Sequence, residues 1–331
     1  MKKIKVVQIG LGPLGQKIVK FIASRRGVQL VGAVDVNPSI QGLDLGTHCG
    51  LSPLNIVISA SLGECLKKVK PDAVILTTVS TMEKITPQIE EIVRNGLPIV
   101  STCEELSYPW ETSFAMATQI DKTAKNTNVA VLGTGVNPGF LMDALPCFLT
   151  AVCQRVERVS VSRIQNAAFR RIPFQKKIGA GLDIEQFESL KATGSLRHVG
   201  LTESVQLIAD SMGWELSKTE DIITPVIAEK EIRTDAMVVP AGFAAGVNQV
   251  GRGWVDGDEK ITLHFKAAVG EPESYDKVEI QGEPDITSTI SGGVNGDVAT
   301  CAITINALNQ ILMVPPGLRT MAEMPPMACF L

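Results

Sequence analysis

Gly10-Leu11-Gly12-Pro13-Leu14-Gly15 stands directly after an apolar run, Ile4 to Ile9, and opens a stretch of helical periodicity, Gln16 to Arg25. That order of strand, glycine turn and helix constrains the chain more than any other feature. GxGxxG in this setting is the first turn of a βαβ unit in a doubly wound parallel sheet. Gly10 makes the tight turn, Gly12 lets backbone N–H groups approach a pyrophosphate, and Gly15 lets helix and strand pack closely. Pro13 and Leu14 start the helix whose N-terminus would hold the phosphates. The second apolar run, Leu30 to Asp35, ends in a carboxylate about 20 residues past the loop, placed to accept hydrogen bonds from both hydroxyls of an adenosine ribose. Loop and carboxylate together imply a nicotinamide dinucleotide. Asp35 repels a 2′-phosphate, and Val36 and Asn37 offer no cation to offset it, so NAD is expected over NADP, with NADP possible.

The alternation continues with apolar runs at Ala73 to Thr77, Ile99 to Thr102 and Val129 to Leu132, separated by amphipathic segments such as Thr86 to Asn95. After Pro138 the texture changes. Arg158 to Arg163, Ala236 to Val239, Lys260 to Ala267 and Lys277 to Gln281 read as strands, with helices at Thr202 to Met212 and Gly296 to Leu312. The expected fold class is α/β: an N-terminal Rossmann doubly wound parallel sheet with a second α+β domain of mostly antiparallel sheet. The boundaries read as 1–140 for the dinucleotide-binding domain and 141–295 for a substrate-binding and dimerisation domain, with about 296–331 packing back on the first.

The 331 residues, 45% hydrophobic and 20% charged, suffice for two domains of common size. A formal net charge of -4 and an isoelectric point near 5.6 give no basic field to gather phosphates, so nucleic acid and membranes are not expected as partners and a small molecule is. Seven cysteines show no CxxC spacing and sit mostly in apolar stretches. They point to a reducing cytoplasm, and no His/Cys/Asp spacing suggests a metal. The N-terminal MKKIKVVQIGLG has too short an apolar run for a signal peptide or a membrane span.

In doubly wound sheets the ligand lies beyond the carboxyl ends of the strands. Thr77, Thr78 and Ser80 after one strand, and Thr102, Cys103, Glu104 and Glu105 after the next, are therefore expected at the nicotinamide end, in a cleft between the domains. Of the tandem glutamates, one can point into the cleft while the other caps the helix or turn that follows. The residue type narrows the chemistry. Reducing a ketone or oxidising an alcohol uses a Lys, His or Tyr that polarises oxygen, whereas a carboxylate pairs with an ammonium, takes its proton and stabilises the iminium formed on oxidation. Glu104 or Glu105 thus suits amine oxidation.

The segments STCEEL (101–106), LGTGVNPGFLMDALP (132–146), RRIPFQKKIGAGL (170–182) and RHVGLTES (197–204) resemble those of 2,4-diaminopentanoate dehydrogenases and native amine dehydrogenases, distant relatives of dihydrodipicolinate reductase. The resemblance implies a homodimer performing reversible NAD(P)-dependent oxidative deamination of a primary amine to a ketone plus ammonia, with reductive amination in reverse. It places the catalytic carboxylate at Glu104, with Glu105 in reserve and the register between them open. It sets Asn137, Pro138, Gly139 and Phe140 beside the nicotinamide and His198 in the substrate pocket. The segment Asn166 to Lys177, with Arg170, Arg171, Lys176 and Lys177, reads as a basic cluster that either holds a substrate carboxylate or makes dimer contacts, with Phe140 in the wall of the substrate site. Three alternatives stay open: a dihydrodipicolinate reductase-like imine reductase, disfavoured because the chain has no HH pair; an alcohol-type dehydrogenase with lysine where this chain has Glu104; and a non-catalytic NAD-binding sensor.

Overall fold

The computed structural model describes residues 3–169, 172–196, 198–234 and 237–330. In chain order the first stretch holds β1 (Ile4–Ile9), α1 (Pro13–Ala23), β2 (Val28–Val34), α2 (Leu45–His48), β3 (Ile58–Ser59) and α3 (Leu62–Leu66). It continues with β4 (Ala73–Leu76), α4 (Met82–Arg94), β5 (Ile99–Ser101), α5 (Phe114–Asn126) and β6 (Ala130–Gly133). Next come α6 (Ala144–Leu149), β7 (Arg155–Asn166), α7 (Ile172–Lys177), α8 (Ile184–Ala192), α9 (Leu201–Met212), β8 (Lys218–Ile227), β9 (Ile232–Arg233) and β10 (Val238–Val239). The chain ends with β11 (Ala244–Val255), β12 (Asp258–Ala268), β13 (Tyr275–Glu283), β14 (Ile286–Ser291), α10 (Gly296–Ile311) and β15 (Gly317–Arg319). Two compact units emerge: residues 1–140 with 295–331, and residues 141–294.

The first unit is built on a seven-stranded sheet among the described residues, ordered β15-β6-β5-β4-β1-β2-β3 and parallel throughout. Strand order reverses between β1 and β4, which makes the ends of these two strands the topological switch point. Strands β4 and β6 are buried along their whole length, as expected where helices cover both faces. Below β4 and β5 lies a core of Val74, Leu76, Met82, Ile85, Ile89, Ile99, Leu106 and Ile120. The sheet carries two more strands than the five apolar runs, because β3 and β15 are two and three residues long and leave no period to detect.

The second unit holds a six-stranded sheet among the described residues, ordered β14-β13-β7-β12-β11-β8, antiparallel except for the parallel pair β7 and β12. Helix α9 lies on β11 where Gly251 and Gly253 leave room: a Cβ at either would come within 3.0 Å of Leu201 or Val205. A buried ion pair, Arg163 Nη1 to Asp276 Oδ1 at 2.7 Å, closes the far end. Both partners also grip Val294, the last residue of the unit: Arg163 Nη2 donates to its carbonyl at 3.0 Å and its N–H donates to Asp276 Oδ2 at 2.7 Å. Among the described residues no helix is long and apolar enough to cross a membrane. Arg170, Arg171 and Arg197 of the basic segments, and Ala236 of the expected strand, lie outside the described residues.

Candidate functional site

The glycine turn joins β1 to α1 at the switch point. Gly10 takes φ +89°, and a Cβ there would sit 2.5 Å from the Thr77 carbonyl oxygen; a Cβ on Gly15 would sit 2.0 Å from the carbonyl oxygen of Gly10. Neither position tolerates a side chain. Gly12 differs: it is exposed, and a Cβ there would meet no atom within 4 Å. Among the described residues nothing fills the space above Gly12, which fits the close approach of a phosphate. Gly12 is also the N-cap of α1, followed by Pro13, which has no N–H, and by Leu14 and Gly15, whose N–H groups have no intrahelical acceptor. These free donors and the helix dipole suit an anion.

Buried Gln8 and half-buried Thr77 hold the turn from below. Gln8 Nε2 donates to the Gly10 carbonyl at 3.0 Å and to Thr77 Oγ1 at 2.7 Å, and Thr77 Oγ1 donates to the Gly10 carbonyl at 2.9 Å. Asp35, just past β2, accepts the Leu11 N–H at 2.7 Å through Oδ2 and the Asn37 N–H at 2.8 Å through Oδ1. Each carboxylate oxygen keeps lone-pair capacity toward a ribose.

Gly10, Gly12, Asp35 and Thr77 help wall a cavity of about 560 Å³, within the usual range for a cofactor site. Its lining includes Gly10, Gly12, Asp35, Thr77, Thr78 and Val79. It also includes Ser61, Leu62, Gln88 and Glu91, which the sequence reading missed. Gln88 accepts from Thr78 Oγ1 at 2.8 Å and ties α4 to the wall. The only sequence signal for these four was the amphipathic phase of α4 and the serine cap of α3. Pro13, Leu14, Gly15, Ser80, Thr102 and Cys103 are not in the lining. Cys103 is 1% exposed and packed in the apolar core; burial pushes its thiol up to about 12, which leaves it protonated and away from the cavity.

A 3-10 turn, Glu104–Ser107, follows β5 and separates the two glutamates. Glu105 is engaged: its Oε2 accepts the Met82 N–H at 2.7 Å, and its own N–H donates to the Ser80 carbonyl at 3.2 Å. It therefore caps α4, a helix that precedes it in the chain, and not the turn that follows. Glu104 is half-buried, and its carboxylate makes no hydrogen bond or ion pair among the described residues; only its carbonyl is used, by Ser107 Oγ at 2.7 Å.

The turn after β6 is held by α10, since the Val136 N–H donates to Thr300 Oγ1 at 3.2 Å. Gly139 at φ +122° closes it against Gly135. Half-buried Asn137 and buried Pro138 lie within this turn, and half-buried Phe140 follows it as the last residue before the second unit.

In the second unit, Asn166 ends β7 and accepts the Ala168 N–H at 2.9 Å. The His198 ring stacks on Phe265 with centroids 4.6 Å apart. Burial, helped by the charges of Lys177 and Arg163, pushes its pKa down to about 3, so the imidazole is neutral. Its Nε2 is buried with no protein partner among the described residues. Gln249 fixes the His198 main chain at both N–H (2.7 Å) and carbonyl (3.2 Å).

Residues 140–331 match the family model for the 2,4-diaminopentanoate dehydrogenase C-terminal domain, and residues 4–104 match that for the N-terminus of dihydrodipicolinate reductase. The chain is 31% identical to a 2,4-diaminopentanoate dehydrogenase of Acetoanaerobium sticklandii over 98% of its own length and 94% of that protein. A solved amine dehydrogenase from Mycobacterium smegmatis superposes with a TM-score of 0.84 at 22% identity, covering 98% of this chain and 97% of that one. A dehydrogenase from Bordetella pertussis, solved with NADH and UDP-GlcNAcA, shares the fold at a TM-score of 0.52 and 15% identity, covering 93% and 88%.

Proposed function

The chain belongs to the 2,4-diaminopentanoate dehydrogenase family, and from that premise we propose that it oxidises a primary amine to a ketone and ammonia, reversibly, with NAD as cofactor and Glu104 as the general base. The observation that carries the base assignment is the contrast between the two glutamates. Glu105 is engaged on α4, while Glu104 stands at the carboxyl end of β5 with its carboxylate unpaired among the described residues.

The cavity fits NAD: the open face of Gly12 and the free N–H groups of α1 suit the pyrophosphate, and Asp35 suits the ribose. When bound, NAD supplies the acceptor for the hydride that leaves the substrate carbon. Glu104 pairs with the substrate ammonium and takes one proton from nitrogen, leaving the amine lone pair to form the C=N bond as the hydride departs. Once that proton has passed to solvent, the carboxylate stabilises the resulting iminium. It then takes a proton from the water that adds to the iminium carbon and passes it to nitrogen, and as the carbinolamine hydroxyl gives up its proton the C–N bond breaks to give ketone and ammonia. Asp35 and Glu91 both border the cavity, with no lysine or arginine in its lining among the described residues, which supports preference for NAD over NADP.

In the second unit, neutral His198 is the candidate for substrate recognition, its buried Nε2 available to a ligand. The positive charge of Lys177 acting on it favours an amine that also bears a carboxylate, such as a diamino acid. Homodimer formation goes with the family reading; Ile222 and Ile227 on edge strand β8, 43% and 45% exposed, are apolar residues that a second copy would cover. Light scattering on the purified protein tests that part. A cytoplasmic setting is consistent with seven cysteines that are all free thiols.

The test is NADH formation with a panel of 2,4-diaminopentanoate, simple primary amines, homoserine and secondary alcohols, with NADP in parallel. Turnover is expected with amines only. Glu104→Gln is expected to keep NADH binding and lose roughly a hundredfold in turnover. Activity with alcohols alone, or full activity in Glu104→Gln, would overturn the proposal.

A further inference from the structure

We infer that Glu105 is a positioning residue that locks the turn bearing Glu104 onto the connection that walls the dinucleotide cavity. The inference rests on Glu104 being the base. Glu105 makes its two bonds to Ser80, on the connection between β4 and α4, and to Met82, the first residue of α4. That connection begins with Thr77, Thr78 and Val79 and leads into the α4 face of Gln88, Glu91 and Ile92, all of which line the cavity.

Helix α4 also lacks a cap of its own. Thr81, at the N-cap position, makes no side-chain cap bond, and its Oγ1 is buried with no partner among the described residues. Glu105, 23 residues away in sequence, does that work instead, with a negative charge placed where the helix dipole favours one. Backbone and side chain of one residue thus fix the cofactor wall and the Glu104 turn to each other. A change at Glu105 alters both the seat of the dinucleotide and the aim of Glu104. A residue that merely stiffened α4 would alter neither.

The test compares Glu105→Ala, Glu105→Gln and Glu104→Gln, with NADH affinity read by fluorescence titration of the purified protein, kcat and KM with an amine substrate, and the pH profile of kcat/KM. Loss of the tie in Glu105→Ala is expected to weaken NADH binding and lower kcat, each by about tenfold, the scale of a small misplacement of reacting groups. In Glu105→Gln the amide oxygen still accepts from Met82, so both quantities are expected to return to within about threefold, with the acidic limb of the pH profile intact.

Glu105→Gln as inactive as Glu104→Gln, with that limb gone, would make Glu105 the base and overturn the inference. Glu105→Ala melting at a lower temperature with unchanged NADH affinity and kcat would reduce Glu105 to a plain cap, also against it, and leave the base assignment standing. Full turnover in Glu104→Gln would remove the base assignment, while the NADH titrations of the two Glu105 variants still decide whether Glu105 seats the dinucleotide.

Discussion

At the scale of single residues, each unit leaves a polar group without a partner among the described residues where satisfaction would be easy. Glu104 has a neighbour of the same chemistry one position away, and it is the neighbour that the fold consumes. His198 shows the same logic. Its main chain is held by Gln249, whose own amide donates to Asp221 Oδ1 at 2.8 Å, yet its ring Nε2 has no protein partner among the described residues. Such a group carries a pH signature. With the folded pKa near 3 and the unfolded value near 6.5, only the unfolded chain takes up a proton as pH falls through that window, so stability is lost on acidification below about 6.5. Between pH 7 and pH 5 this group is expected to remove roughly 2 kcal/mol. His198→Phe binds no proton there in either state, so urea unfolding at the two pH values is expected to show a smaller loss in the variant by about that amount. Equal pH dependence in the two proteins would contradict the burial of the ring.

At the scale of elements, α1 and its glycine turn separate folding from binding. Gly12 faces open space at φ −62°, so Gly12→Ala is expected to leave the melting temperature unchanged or slightly raised, while its methyl group stands in the phosphate approach and weakens NADH binding by about a hundredfold. Gly15→Ala drives a Cβ into a backbone oxygen of Gly10 that cannot yield, so it is expected to lower stability by about 1–3 kcal/mol and to weaken binding as well. Melting and NADH titration of both variants check the contrast; a destabilised Gly12→Ala would mean that the space above the loop is not open.

These glycines and Asp35 were legible in the sequence because each acts within a few residues of its neighbours. Other elements were not. The expected helix at Thr86 begins at Met82, since Pro87 reads as a helix start and the true cap is distant Glu105. Strand β11 was unread because Gly246, Gly251 and Gly253 look like turn residues, whereas Gly251 and Gly253 make room for α9. Ser61, Leu62, Gln88 and Glu91 reach the cavity through sheet order, and the choice between Glu104 and Glu105 depends on one hydrogen bond; neither is written in local spacing.

At the scale of the molecule, the two units differ in how their cores are closed. Residues 141–294 form a continuous stretch with its own sheet, its own helix layer on β11 and the Arg163–Asp276 pair gripping its last residue. The first unit is completed only when the chain returns as α10 and β15. Strand β15 covers the open edge of β6, and α10 packs on α1, β5 and β6 with Ile305, Leu308 and Ile311 buried. Arg25, at the end of α1, donates to Asn306 of α10 at 2.6 Å and to the Phe330 carbonyl at 3.1 Å. Exposing those three apolar side chains costs about 1.5–3 kcal/mol each, or about 5–9 kcal/mol together. That is comparable with the whole stability of a typical domain, about 5–15 kcal/mol. A fragment of residues 1–140 is therefore expected to lack a cooperative urea transition and to bind no NADH, although it contains the entire glycine turn and Asp35. The fragment 141–294, or 1–140 joined to 295–331 by a flexible linker, is expected to unfold cooperatively, and the joined form to regain NADH binding. A cooperative, NADH-binding 1–140 fragment would show that α10 and β15 are dispensable to the dinucleotide site.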